Sequence, residues 1–214
     1  MSNDCYFGQY ARFETPDKDT GSMLNGADDL VGDPYTIDFR TKDQVSQAWI
    51  VNRFGADVGF FDPGFSRKLS IIAARGWTIS ASLVYAAYTS QPAPGLYWGQ
   101  MAVIAYDPKY EQVFSVYWEK VRDRLKEGVH PVIDLDKQQI ELVIQNDGDW
   151  IPKKTHSFPK NDEGTVMVKT QLMMSERVVE QGRKGNVGCY IVTVIFWIAV
   201  IALIIFGLKS CGVF

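Results

Sequence analysis

Histidine and cysteine are scarce in this chain, two and three residues respectively out of 214. Neither His130 nor His156 has a second histidine or a cysteine at zinc-ligand spacing, so a histidine-built metal centre and a histidine-based triad both lack parts. Cys5, Cys189 and Cys211 are too few and too far apart for a disulfide framework, as expected of a domain kept in a reducing compartment. No G-x-G-x-x-G, no G-K-[ST] and no G-x-S-x-G occurs, which removes the phosphate cradle and the nucleophile elbow. An excess of bases is missing too. The formal charge is −3, residues 1–150 carry 21 acids against 14 bases, and a nucleic-acid domain needs a basic stripe. The amino terminus, MSNDCYFG, offers neither the basic nor the apolar region of an export signal.

One stretch has no charge at all. Residues 189–208 are twenty uncharged residues, thirteen of them Leu, Ile, Val or Phe. As a helix this stretch would be roughly 30 Å long, the thickness of a bilayer's hydrocarbon core. Its apolar side chains favour insertion by roughly 4 to 8 kcal/mol. The expectation is therefore a transmembrane helix over 189–208, followed by a short extracytoplasmic tail over 209–214. Arg177, Arg183 and Lys184 precede the span and only Lys209 follows it, which places the amino-terminal side in the cytoplasm. These membrane-proximal bases each gain about 1 kcal/mol beside anionic lipid. On this reading the chain is tail-anchored. Cys211-Gly-Val-Phe214 has the form of a prenylation box, but the charge rule puts it on the wrong side of the membrane.

The rest reads as an α+β domain with a mainly antiparallel sheet. Residues 1–40 carry eight acids and three bases among turn clusters, and an irregular acidic arm is expected there. Its aromatics Tyr6, Phe7, Tyr10 and Phe13 either dock it or pair in one short strand. Asp28, Asp29, Asp33 and Asp38 depart from the EF-hand spacing, and a solvated loop is the expectation. Within a domain spanning 41–174, Thr41-Lys-Asp-Gln44 has the form of a capping box and predicts a helix over 41–54 stopped by Gly55. Ser66 as a cap gives a short helix through Arg75 ended by Gly76, with a strand as the alternative for the same residues. Trp77, Ile79, Ala81, Leu83 and Tyr85 alternate as a strand, and 96–106 forms its antiparallel partner beyond a Pro-Gly break.

Asp107-Pro108 and Gly128 bracket the clearest amphipathic helix, with Tyr110, Val113, Phe114, Tyr117, Val121 and Leu125 on one face. Its outer face has two cross-turn pairs, Glu119 with Arg122 and Asp123 with Lys126. Residues 139–145 alternate, although their length also permits a helix, and Asn146-Asp-Gly-Asp149 behind them favours a strand and a hairpin returning through Trp150 and Ile151. A further strand covers 165–174 with Val166, Val168, Leu172 and Met174 facing one way, and 175–188 is expected as a juxtamembrane linker.

Catalytic chemistry has one candidate pair. Asp134 and Asp136 end an apolar run as Asp-x-Asp, the arrangement by which one carboxylate attacks or binds metal while its neighbour handles a proton. Gln138 stands where an aspartyl phosphatase pattern calls for Thr or Val, so a strand end or helix cap is the expected role. His130 is expected at a helix end, near terminal carbonyls. No cofactor and no resident metal is implied. Two functions follow from the layout. One is a binding module that holds a protein or small-molecule ligand at the lipid bilayer. The other is a membrane-active effector whose span assembles as a homo-oligomer and permeabilises the membrane. A membrane-tethered enzyme using carboxylates ranks third.

Overall fold

The computed structural model describes residues 5–42, 45–157, 164–183 and 194–201. They fall into two compact units, Met1–Leu172 and Met173–Phe214. In chain order the first unit contains β1 (Tyr6–Glu14), α1 (Lys18–Ser22), β2 (Pro34–Lys42), β3 (Val45–Val51), β4 (Asp57–Phe61), α2 (Pro63–Ala74), β5 (Thr78–Thr89) and β6 (Leu96–Tyr106). It continues with α3 (Glu111–Lys126), α4 (Lys137–Gln145) and β7 (Thr165–Lys169). The second contains α5 (Met174–Arg183) and a helical segment over 194–201.

The class is α+β. All strand pairings are antiparallel, in the order β2-β3-β4-β1-β6-β5-β7. The sheet also returns on itself, because Pro34 and Tyr35 of β2 pair with Ser82 and Ala81 of β5. The closing contact is two residue pairs long, and β7 flanks another part of β5, from Ala86 to Thr89. Successive side chains of a strand point to opposite faces, and both faces carry a buried core where β1, β5 and β6 run. Inside, Phe13, Ile50, Phe61, Leu83, Met101 and Val103 form one core, roofed by Phe65 and Leu69 of α2. Outside, Tyr6, Tyr85, Trp98, Ile104 and Tyr106 form a second core under Phe114, Tyr117, Trp118, Val121 and Leu125 of α3. Burying each such side chain contributes about 1.5–3 kcal/mol.

Local chemistry explains the secure elements. Asp62 caps α2 by accepting from the amides of Gly64 and Phe65, with Pro63 at the first helical position. The 96–106 strand and its partner pair as expected, in register from Thr78 with Tyr106 to Thr89 with Leu96. A bulge between Leu83 and Tyr85 breaks the expected single-face alternation. Ile79, Ala81 and Leu83 serve the inner core, and Tyr85 the outer. The 107–127 helix is present with the expected face. Of its two outer pairs, Lys126 meets Asp123 at 3.1 Å, while the Nε of Arg122 donates to the Gly32 carbonyl at 2.7 Å.

Several expectations are overturned. The arm contains a nine-residue strand, β1, in the middle of the sheet. In place of a 41–54 helix, β2 and β3 form a hairpin from Thr36 with Val51 to Lys42 with Val45. Its pairing to β4 and β5 outweighs a local capping signal, of which Asp43 and Gln44 lie outside the described residues. The 139–145 run is helical, as α4, because Asp136 and Gln139 form a reciprocal capping box. Asn146–Asp149 closes that helix rather than a hairpin, and Trp150 and Ile151 join no strand. In β7 the facing is reversed: Met167 packs on the outer core and Lys169 is buried, while Val166 is exposed. The stretch expected as a linker holds α5, which carries Arg177 and Arg183; Lys184 lies outside the described residues. Of the expected span only 194–201 is described, and it is helical. No helix among the described residues is long and apolar enough to cross a membrane.

Candidate functional site

His130 and Asp134, four residues apart, meet His156 on the outer face of β1. The meeting place is set by Tyr6-Phe-Gly-Gln-Tyr10. Tyr6, Gly8 and Tyr10 share that face, and the segment 131–133 crosses the gap that Gly8 leaves. A Cβ on Gly8 would lie 1.9 Å from the carbonyl oxygen of Ile133. The flanking hydroxyls hold the segment down: Tyr6 donates to the Ile133 carbonyl at 2.9 Å and Tyr10 to the Pro131 carbonyl at 2.6 Å. Burial raises the pKa of both phenols far above the ordinary range, so both stay protonated and able to donate.

A second extended segment runs beside the first. Val132 N–H donates to the Lys154 carbonyl at 3.0 Å, His156 N–H to the His130 carbonyl at 2.8 Å, and Pro131 bridges Thr155. The ladder has two faces. On one, the rings of His130 and His156 lie 6.4 and 5.2 Å from that of Tyr10, and His156 Nε2 lies 3.5 Å from Asp134 Oδ1. On the other, Val129, Pro131, Lys153 and Thr155, with Arg124 of α3 and Ile151 and Pro152, line a cavity of about 280 Å³.

The histidine face holds one buried and one exposed imidazole. His130 is buried, and burial, reinforced by the charge of His156, holds its pKa down to about 4, so it is neutral at physiological pH. It sits deeper than the expected helix end. His156 and Asp134 are both well exposed, and an exposed pair of this kind contributes little, about 0–1 kcal/mol. The Asp-x-Asp pair does not act as a unit: Asp136 caps α4 by accepting from the Gln139 amide at 2.9 Å. Among the described residues no group of three metal-ligating side chains comes together. Asp29 is buried instead of solvated, accepting from Tyr35 at 3.1 Å and Asn52 at 3.2 Å, while the Lys169 ammonium donates to the carbonyls of Gly26 and Asp29 at 2.8 and 2.7 Å.

The cavity face has different chemistry. Its described lining presents two cations, a threonine hydroxyl and four apolar side chains, with no carboxylate, thiol or imidazole. Such a set can hold a ligand, with the Thr155 hydroxyl and the Lys153 amine as its polar groups of a type that can react. A smaller cavity of about 220 Å³ lies elsewhere, between Arg12, Glu14, Phe60, Asp62 and Pro63. There Arg12 stacks 4.0 Å above the Trp98 ring, and both charge signs line the space.

Fold and site thus describe an α+β domain with a small, preformed, basic pocket. Comparison with protein-family models, curated proteins and solved structures returns no match to this chain. Sequence reasoning missed the pocket because its lining comes from three separate stretches. The legible clue was the glycine between two tyrosines in β1, which marks a strand face where another backbone passes closely.

Proposed function

We propose that this protein is a membrane-tethered binding module. A single apolar span over 189–208 holds it to the bilayer, with the α+β domain on the cytoplasmic side, where it captures a ligand at the membrane surface. The observation that carries the reading is the twenty-residue stretch without a charge, preceded by Arg177, Arg183 and Lys184. Support for a binding site comes from the cavity, whose described lining combines two cations with apolar walls. The tether is tested by alkaline carbonate extraction and by protease added to sealed, right-side-out vesicles. The expected result is a chain that stays with the lipid and a domain that is protected. Release by carbonate, or digestion from outside, refutes the tether or its orientation.

A further inference from the structure

The larger cavity is electrostatically one-sided. Arg124, in the last turn of α3, and Lys153, on the second strand of the ladder, both contribute to its wall, and no described carboxylate does. Arg124 belongs to the acidic stretch 1–150, with 21 acids against 14 bases, and Lys153 to residues 151–186, where seven bases outnumber four acids. Arg124 also meets Glu127, Nη1 to Oε2 at 3.1 Å, but both side chains are more than half exposed. Such a pair contributes about 0–1 kcal/mol, and the guanidinium keeps further N–H donors in its planar fork. The apolar part of the lining is Val129, Pro131, Ile151 and Pro152. The volume of about 280 Å³ is near the lower end of the roughly 300–1,000 Å³ typical of small-molecule sites.

We propose that this cavity binds a compact organic oxyanion: a carboxylate or phosphate carried on a small, flat apolar body. Arg124 and Lys153 take the acid group, with the Thr155 hydroxyl as an added donor, and Ile151 with the two prolines covers the apolar part. The inference rests on the reading of the domain as a binding module and names the ligand class that the reading leaves open. The wall is built before the ligand arrives. Pro131 and Pro152 have restricted backbones, the Tyr10 hydroxyl fixes the Pro131 carbonyl, and two backbone hydrogen bonds tie the segments together. A preformed site loses little conformational freedom on binding, so a small ligand can hold there.

The test uses the full-length chain in detergent micelles, titrated by calorimetry with four probes. Benzoate and phenyl phosphate carry the charge and the ring, benzamide the ring without the charge, and acetate the charge without the ring. Saturable binding is expected for benzoate or phenyl phosphate. Benzamide and acetate should each bind at least about tenfold more weakly, the equivalent of about 1.4 kcal/mol. Arg124→Met and Lys153→Met should each weaken the better oxyanion by about tenfold or more with an unchanged circular dichroism spectrum. Lys137→Met, on α4 and outside the cavity lining, should leave it unchanged. The proposal is overturned if benzamide binds as well as benzoate, if neither oxyanion binds, or if both cavity variants bind like the parent. A chain that resists carbonate yet ignores all four probes removes this inference and leaves the tether standing, whereas a chain that binds benzoate but washes off the membrane does the reverse.

Discussion

Replacing His130 by glutamine removes the one imidazole of the site that is buried, and the consequence depends on pH. Its folded pKa is held at about 4, chiefly by burial and secondarily by the charge of His156, against an ordinary value of 6.5. Above pH 6.5 the ring is neutral in both folded and unfolded chains, and the folded state has its full stability. Between 6.5 and 4 the unfolded chain takes up a proton that the folded chain refuses, so stability falls by about 1.4 kcal/mol for each pH unit. Below about pH 4 both states are protonated and the loss levels off, having reached at most about 3 kcal/mol across the window. Asp57, whose carboxyl is held low by hydrogen bonds from Arg40, also loses stabilisation in acid, but it does so equally in parent and variant. The assay is urea unfolding of the full chain in micelles, followed by tryptophan fluorescence at several pH values from about 7 to 4. The variant is expected to start less stable than the parent and to close the gap by up to about 3 kcal/mol on acidification. Two parallel curves would refute the assignment of a buried, neutral His130.

Three further outcomes are expected. Gly8→Ala sets a methyl against the Ile133 carbonyl and should disturb the two tyrosine hydrogen bonds, costing about 2–4 kcal/mol in the same urea assay. Phe114→Ala empties the centre of the outer core, where Phe114 stacks on Tyr6 and Tyr106 at 4.9 and 5.4 Å. A loss of about 3–5 kcal/mol is expected by thermal or urea unfolding. Asp136→Ala removes a cap and should cost about 1 kcal/mol, whereas Asp134→Ala, at an exposed site, should stay within about 0.5 kcal/mol. Equal effects from the two aspartates would contradict their separate roles.

Where local chemistry and tertiary packing agreed, the elements were legible. Asp107-Pro108, Gly128 and a stripe of aromatics at three- and four-residue spacing admit only an amphipathic helix. The period-two run of β5, a Pro-Gly break and a second apolar run indicated an antiparallel pair. The site was less legible: Asp134 and Asp136 stood out as a pair in sequence, yet one caps a helix and the other faces His156. The cavity, built from α3 and two stretches of loop, gave no local signal.

By itself the sequence determined the α+β class, the pairing of β5 with β6 and the aromatic helix, because each depends on composition or on residues close in the chain. Tertiary structure alone decided that residues 41–51 are extended, since the β2–β3 hairpin gains from pairing with β4 and β5, which no neighbouring residue reveals. It alone decided that Lys169 turns inward, because the carbonyls of Gly26 and Asp29, some 140 residues away, are there to receive its ammonium. The same reason explains the pocket. Its lining joins α3 to two segments paired with each other, one of which Tyr6 and Tyr10 hold across the gap at Gly8.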